Sequence, residues 1–409
     1  MLFSLFILLF LFSFFVLYEQ KVKKWNFYSP VVLLGGPLIS LILLSCILSP
    51  MMGFITINSK ALNLFIYGLG SFWLGGMFIT PIGEKIMKKG SNTAFQLKSK
   101  TRLFFHLTCA FFVAIMLLNL HSLLSNRSLI MLEDQEFAQR GFEAHIGGLI
   151  MAYLMFYIIS FWEKISVNRI LAFFFVCIIF ILKMLSGIRG NIILPLIGAC
   201  IYLVSRKLVK VSLKNLLVLC TAVFALFMLP TLFFSNDEST TNYIISYFVF
   251  YFSAGILGLS SYMEQHYVPW EVNPDFIYTF YINLWEKLFG NANYVFAINS
   301  EFVTVTLPNS EFTFSSNVYT LIGEVYVNCG YMVGTLYFFF LGVYAYSLYF
   351  LSNRGVMLLL LYAFVGGCLF LGMFGSQYVL MPYFYEIQLL FLLLHFVSKS
   401  TVSKSFLRK

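Results

Sequence analysis

Two basic side chains and two glycines lie close together in the middle of the chain, between Lys183 and Asn191. Gly187 and Gly190 allow the backbone to approach a ligand closely. Gly190 also precedes a predicted helix, whose N-terminal amides favour anions. The pattern predicts a clamp for phosphate or pyrophosphate, built from Lys183, Arg189 and Gly190. The alternative is an anchor whose charges reach out to lipid headgroups.

A second charged segment lies earlier in the chain, directly before another predicted helix. The acids Glu133, Asp134 and Glu136 are followed by Arg140 and then by His145. Arg140 is a further candidate for the anion clamp, and a histidine can carry a proton near neutral pH. A solvated loop with a structural histidine is the alternative, and for His145 it is the favoured one.

Aromatic and acidic side chains are mixed in the segment from Tyr262 to Trp285, which also contains His266. Aromatic rings stack on the apolar faces of pyranoses, and carboxylates accept hydrogen bonds from sugar hydroxyls. Tyr267 and Trp270 are therefore candidate sugar-binding residues. An aromatic belt at a membrane interface explains the same residues equally well.

The elements that position these residues are apolar. The chain of 409 residues is 60% hydrophobic and 11% charged, whereas soluble domains carry about 25% charged residues. The composition predicts an all-α polytopic membrane protein, and the net charge of +9 is assigned to cytoplasmic loops, not to nucleic-acid binding. Eleven runs approach the roughly 20 residues that a membrane-spanning helix needs. They are 1–17, 31–49, 61–80, 103–123, 144–161, 169–185, 191–205, 215–234, 331–350, 356–374 and 382–398.

The distribution of Lys and Arg predicts the orientation. Twenty of the 26 basic residues lie in alternate connections, which places the N-terminus in the periplasm and the C-terminus in the cytoplasm. The predicted order is eight spans in 1–234, a large periplasmic loop in 235–318, and three spans with a cytoplasmic tail in 319–409. The apolar stretch 243–259 is almost long enough to cross, but a crossing would reverse the C-terminal basic cluster. It is therefore predicted as an interfacial or re-entrant helix.

The segment from Ser315 to Gly334 carries a further pattern. It reads Ser-Asn-Val-Tyr-Thr, then Glu324 and Tyr326, then Gly-x-x-x-Gly. Together with the Gly-x-Arg-Gly turn at 187–190, the eleven spans and the late outer loop, it resembles the membrane-embedded O-antigen polymerases (Wzy type). The related O-antigen ligases usually have His-Asn where this chain has Ser316-Asn317, which argues against a ligase.

The resemblance implies a GT-C-like bundle in the bacterial inner membrane. Such a protein would join oligosaccharide repeat units carried on undecaprenyl pyrophosphate, among membrane lipids, with a chain-length regulator (polysaccharide co-polymerase) as a protein partner. Glu324 and His266 would be candidate bases for the acceptor hydroxyl, and Asn317 and Tyr319 candidate sugar ligands. An O-antigen ligase, and a flippase or other transporter of lipid-linked oligosaccharides, are the competing interpretations.

No metal ion or other cofactor is expected. The outer connections contain no Asp-x-Asp pair, and the first of them, 50–60, contains no acid. Fixed cations can stabilise a leaving pyrophosphate without a metal. Lys183, Arg189 and Arg140 would have this role.

The predicted orientation can be tested by cysteine labelling. Single cysteines placed at Gly90 and at Gln265 should react with a membrane-impermeant reagent from opposite sides, because they lie on connections of opposite charge character. Labelling of both positions from the same side would contradict the predicted topology.

Overall fold

The computed structural model describes residues 1–88, 99–125, 142–162, 168–185, 190–210, 240–268, 274–289, 301–310 and 312–402. Most of these residues are helical, and a two-stranded hairpin is the only sheet among them. The fold class is therefore all-α, as the composition predicts.

The elements are numbered in chain order. The helices are α1 (Leu2–Leu17), α2 (Pro30–Met51), α3 (Ser59–Lys88), α4 (Ser99–Ser125), α5 (Phe142–Ser160), α6 (Arg169–Leu185), α7 (Gly190–Ser205), α8 (Thr240–Gln265), α9 (Asp275–Phe289), α10 (Thr320–Leu351), α11 (Val356–Leu371), α12 (Gln377–Leu380) and α13 (Pro382–Val402). A π-helical turn, Tyr18–Val22, continues α1, and a 3₁₀ turn, Ser352–Arg354, follows α10. The strands are β1 (Val303–Thr304) and β2 (Ser315–Ser316), which pair antiparallel.

The chain forms two compact units that interleave in sequence. The first comprises Met1–Lys88, Thr231–Phe350 and Cys368–Met381, and the second comprises Lys89–Pro230, Leu351–Gly367 and Pro382–Lys409. The predicted boundaries at 234 and 318 refer to membrane topology, so these units do not test them.

The protein is membrane-embedded. In the part of the chain that the structure describes, five helices are long and apolar enough to cross a membrane, namely Leu2–Val22, Pro30–Met51, Ser59–Met87, Ile245–Gln265 and Thr320–Arg354. Large apolar side chains are exposed along α1, and Phe3 is 76% exposed. Water-soluble proteins rarely expose such a face. Ten of the predicted spans coincide with helices and 215–234 lies outside the described residues, so the number of crossings stays a prediction.

Helix α10 differs from the span predicted at 331–350. It begins at Thr320 and is broken at Gly330, where φ is 81° and ψ is 172°. This left-handed conformation is strained for residues with a Cβ atom. The residues before Gly330 therefore form a separate short helix, which contains Glu324.

Helix α8, which contains the stretch predicted as interfacial, packs against connections along its length. The rings of Phe250 and Phe314 stack with centroids 4.9 Å apart. Nearer the C-terminal end, Ser261 Oγ donates to the carbonyl of Thr304 at 2.8 Å. The position of α8 relative to a membrane stays a prediction.

A buried carboxylate joins α1 to later parts of the first unit. Glu19 lies in the π-helical turn, is fully buried, and accepts hydrogen bonds from the hydroxyls of Ser29 and Tyr346. Ser29 precedes α2 and Tyr346 lies in α10. A buried charge costs free energy unless it is hydrogen-bonded, so this contact fixes how the three helices pack.

Two glycines allow the closest approach of α3 and α10. A Cβ atom added at Gly75 would lie 1.9 Å from the carbonyl oxygen of Phe339, and one added at Gly342 would lie 2.0 Å from that of Phe72. Real Cβ atoms do not approach backbone so closely. Small residues at such positions are typical of helix pairs in membranes.

Gly75→Ala should destabilise the protein by about 1–3 kcal/mol, because α3 and α10 must move apart. Gly70→Ala is the matched control in the same helix, since nothing lies within 4 Å of the added Cβ. That control should be neutral or slightly stabilising. Unfolding in detergent measures both. Equal unfolding midpoints for the two variants would contradict the packing described here.

Candidate functional site

Glu324 is a buried carboxylate in the first unit that binds two backbone amides. Its Oε1 accepts a hydrogen bond from the backbone amide of Tyr319 at 3.3 Å, and its Oε2 accepts one from the amide of Ser376 at 2.6 Å. Only 6% of the residue is exposed. One carboxylate thus ties the start of α10 to the connection between α11 and α12.

The backbone around Glu324 is shaped to bring these amides to the carboxylate. Thr320 has φ of 64°, which is a strained conformation for a β-branched residue. Its Oγ1 caps α10 by accepting from the amide of Gly323 at 3.1 Å. A Cβ atom at Gly375 would lie 3.4 Å from Glu324 Oε1, and the φ of Gly375 is 152°. Glycine is therefore required at this turn.

Close to Tyr319, an imidazole and a carboxylate form an exposed pair. His266 Nε2 lies 3.2 Å from Glu301 Oε1, and the two side chains are 40% and 46% exposed. The ring of Tyr262 stacks on the imidazole with centroids 4.3 Å apart. Tyr262 also packs against Tyr319 at 5.1 Å.

Tyr319 joins the exposed pair to the buried carboxylate. Its hydroxyl donates to the carbonyl of Glu301 at 3.0 Å, while its amide donates to Glu324. Burial raises the pKa of the Tyr319 hydroxyl, and the nearby Glu301 charge raises it further. The phenol therefore stays protonated at neutral pH and acts as a fixed donor.

The hairpin that carries Glu301 is held by hydrogen bonds from two sides. Strands β1 and β2 pair Val303 with Ser316. The amide of Ile55 donates to the carbonyl of Val305 at 3.0 Å, and an isolated bridge joins Phe54 to Thr306. The connection between α2 and α3 thus supports the position of the hairpin.

Lys60 contacts the last turn of α8, next to His266. Its Nζ donates to the carbonyl of Met263 at 3.2 Å and lies 4.1 Å from the centroid of the Tyr267 ring. A cation is stabilised both by a helix C-terminus and by the face of an aromatic ring. This contact positions Tyr267, which is 79% exposed.

Five of the predicted site residues belong to the first unit, although the sequence alone does not pair them. Tyr319 and Glu324 contact each other, His266 is linked to Tyr319 through Tyr262 and Glu301, and Tyr267 is the neighbour of His266. Asn317 is half-buried beside Ser316, whose hydroxyl accepts a hydrogen bond from the amide of Val318.

The predicted pyrophosphate-binding residues belong to the second unit or fall outside the described residues. Lys183 lies in the last turn of α6 and its side chain is fully buried. Gly190 is the first residue of α7, as the expected anion-binding helix terminus requires. Arg140, Arg189 and Trp270 lie outside the described residues.

Sequence reasoning did not assign Glu301 or Lys60 to the site. Glu301 is one of several acids in the predicted loop, and nothing near it in sequence marks it as the partner of His266. Lys60 had a usable signal, because it is the only charged residue in the first predicted outer connection. No group of three or more His, Cys, Asp or Glu side chains that could hold a metal ion occurs within the described ranges.

The fold and these residues define a helical membrane-embedded protein with a polar site containing a His–carboxylate pair. Residues 50–404 match the model of a family of unknown function, DUF6337, and the chain belongs to this family. The chain matches no curated protein and no solved structure.

Proposed function

We propose that this protein polymerises lipid-linked oligosaccharide repeat units by metal-independent glycosyl transfer on the periplasmic face of a bacterial inner membrane. The observation that carries the proposal is the open His266–Glu301 pair, which is stacked on Tyr262 and joined through Tyr319 to the buried Glu324. The resemblance in the 315–334 segment supports the choice of reaction.

The acid–base chemistry is assigned to His266. Glu301 occupies its Nε2, so in the neutral imidazole Nδ1 is the nitrogen that accepts a proton. The acceptor hydroxyl oxygen would attack the anomeric carbon of the growing chain as Nδ1 takes its proton. The bond from that carbon to the pyrophosphate oxygen would break, and the lipid pyrophosphate would leave with the electron pair. His266 would then release its proton to water.

Glu324 has a different role in this proposal. Both of its carboxylate oxygens accept backbone amides, and the side chain is buried. A group in this setting is a poor proton acceptor for a sugar hydroxyl, since the reacting atoms must come within hydrogen-bond distance. We assign Glu324 to holding Tyr319 in place, and His266 to proton transfer.

The sugar and the pyrophosphate are assigned to different groups. Tyr267 offers an exposed ring for a pyranose face, and Asn317 offers an amide. Arg140 and Arg189 remain the cations proposed for the pyrophosphate. Lys183 is a weaker candidate than the sequence suggests, because a fully buried ammonium cannot reach a ligand in this conformation.

Backbone strain also favours a functional role for this region. Thr320, the first residue of α10, adopts the left-handed conformation directly after Tyr319. Strain of this kind costs of order 1–3 kcal/mol and concentrates at functional sites. It lies next to the residue that links His266 to Glu324.

A transporter of lipid-linked oligosaccharides is the second candidate, and one observation favours it. Helix α10 is broken at Gly330 and carries a buried carboxylate, Glu324, in its first piece. Broken helices with polar groups are typical of transporters. In cells that lack the protein, the polymerase proposal expects single repeat units to reach the outer face, whereas the transporter proposal expects them to remain inside.

Purified protein in liposomes should convert lipid-linked repeat units into a ladder of longer chains without nucleotide sugar or ATP. His266→Ala should lower the rate by about 100-fold or more, which is the usual contribution of a general base. Excess EDTA should not affect the wild-type rate, since fixed cations are proposed to replace a metal. Gel analysis of the lipid-linked products measures each of these.

Glu264→Gln is the matched control on α8, because Glu264 is exposed and lies two residues from both Tyr262 and His266. It should polymerise at the wild-type rate. A full ladder from His266→Ala would remove His266 from the mechanism. Loss of activity in EDTA that Mg²⁺ restores would overturn the metal-independent step.

A further inference from the structure

A second imidazole–carboxylate pair lies in the second unit, on residues that the proposed site does not use. His145 is in the first turns of α5 and Glu386 is in the first turns of α13. His145 Nδ1 makes a hydrogen bond with Glu386 Oε1. Ionisable side chains in apolar helices of membrane proteins usually mark functional sites.

A close helix contact brings the pair together. Gly148 follows His145 by three residues, which is nearly one helical turn. A Cβ atom at Gly148 would lie 2.5 Å from Cβ of Tyr383. Tyr383 precedes Glu386 by three residues, so both lie on the same side of α13. The absence of a side chain at Gly148 therefore allows the two helices to approach at the level of the pair.

The carboxylate is only half satisfied. Among the described residues, buried Glu386 Oε2 has no hydrogen-bond partner, while Oε1 is bound to His145. A buried acceptor left without a donor costs about 1–3 kcal/mol, and more when it is charged. The side chains of His145 and Glu386 are 38% and 23% exposed, so a ligand can reach the pair, and the Glu386 carboxylate must turn outward for Oε2 to meet it.

The pair has two further atoms that can accept hydrogen bonds, Glu386 Oε2 and His145 Nε2. In a neutral imidazole, a carboxylate at Nδ1 selects the tautomer with its proton on that nitrogen, which leaves Nε2 as an acceptor. Glu386 Oε2 is an acceptor as well. An anion such as phosphate would be repelled by the carboxylate. A ligand with at least two hydroxyl donors matches both atoms.

We propose that the His145–Glu386 pair is a saccharide-binding site, at which two sugar hydroxyls donate hydrogen bonds to Glu386 Oε2 and His145 Nε2. The identity of the sugar-bearing ligand, a lipid-linked repeat unit, rests on the function proposed above. That reaction has two saccharide substrates, the growing chain and the single unit. A second point of sugar recognition therefore fits the chemistry of the reaction.

The test measures the reactivity of His145 and does not depend on turnover. The protein in nanodiscs is treated with diethyl pyrocarbonate, and carbethoxylation of His145 and His266 is followed by peptide mass spectrometry. The probes are lipid-linked repeat units extracted from the source cells and, separately, the methyl glycosides of glucose, galactose and N-acetylglucosamine. At ten times the dissociation constant, a bound probe should slow modification of His145 about tenfold.

The protection should require the carboxylate. Glu386→Ala and Glu386→Gln should both lose protection of His145, and Glu264→Gln should keep it. Thermal unfolding of each variant in detergent shows whether it is folded. If the Glu386 variants fail to fold, the wild-type protein still tests the site. Repeat units should protect His145 from modification, whereas phosphate should give no protection.

The outcomes separate this inference from the proposed function. Protection of His145 by the glycosides would support the site, and the absence of a ladder from lipid-linked repeat units would at the same time refute the polymerase. A ladder with protection of His266 but not of His145 would refute the site and leave the polymerase standing. Protection of His145 by Mg²⁺ or Mn²⁺ alone, or by inorganic phosphate, would also overturn the saccharide site.

Discussion

The site in the first unit depends on one buried carboxylate. Glu324 accepts the amides of Tyr319 and Ser376, which are 57 residues apart in the chain, and so fixes two connections relative to each other. Tyr319 in turn holds the backbone of Glu301, and Glu301 orients His266. If Glu324 did not bind these amides, the backbone of Tyr319 would lose its link through this carboxylate to the connection between α11 and α12.

The constraint has a simple physical origin. A chain that is 60% hydrophobic offers few alternative partners to a buried polar group, and an unsatisfied group in an apolar setting is costly. Glu19 shows the same behaviour, since its carboxylate accepts the hydroxyls of Ser29 and Tyr346. Each buried acid therefore favours one arrangement of the helices around it. At Glu324, this arrangement positions Tyr319, Glu301 and His266.

The sequence predicts the apolar helices well because hydropathy and length alone determine them. Helix α2 begins at Pro30, where the apolar run was placed from 31, and α6 coincides with the run 169–185. The break at Gly330 was not predicted, since a Gly-x-x-x-Gly pattern is equally typical of an unbroken helix that packs closely. A glycine permits the positive φ at position 330 but does not by itself predict it.

The candidate site could be predicted only in part, for a related reason. Residue types marked His266, Tyr319 and Glu324, but the pairing of His266 with Glu301 spans 35 residues and that of His145 with Glu386 spans 241. Contacts of that separation depend on how helices pack. Composition also could not show that Lys183 is buried, because its neighbours in the turn suggested an exposed charge.

Hydrogen exchange at the Tyr319 and Ser376 amides tests the central claim, that Glu324 holds the site together. In the folded protein both amides should be protected, and Glu324→Gln should speed the exchange of at least one of them about tenfold or more, because a single amide oxygen replaces two carboxylate acceptors. Peptides from α3 should exchange as in the wild type. If the two amides exchange freely in the wild type, or if Glu324→Gln leaves both unchanged, Glu324 does not organise the site.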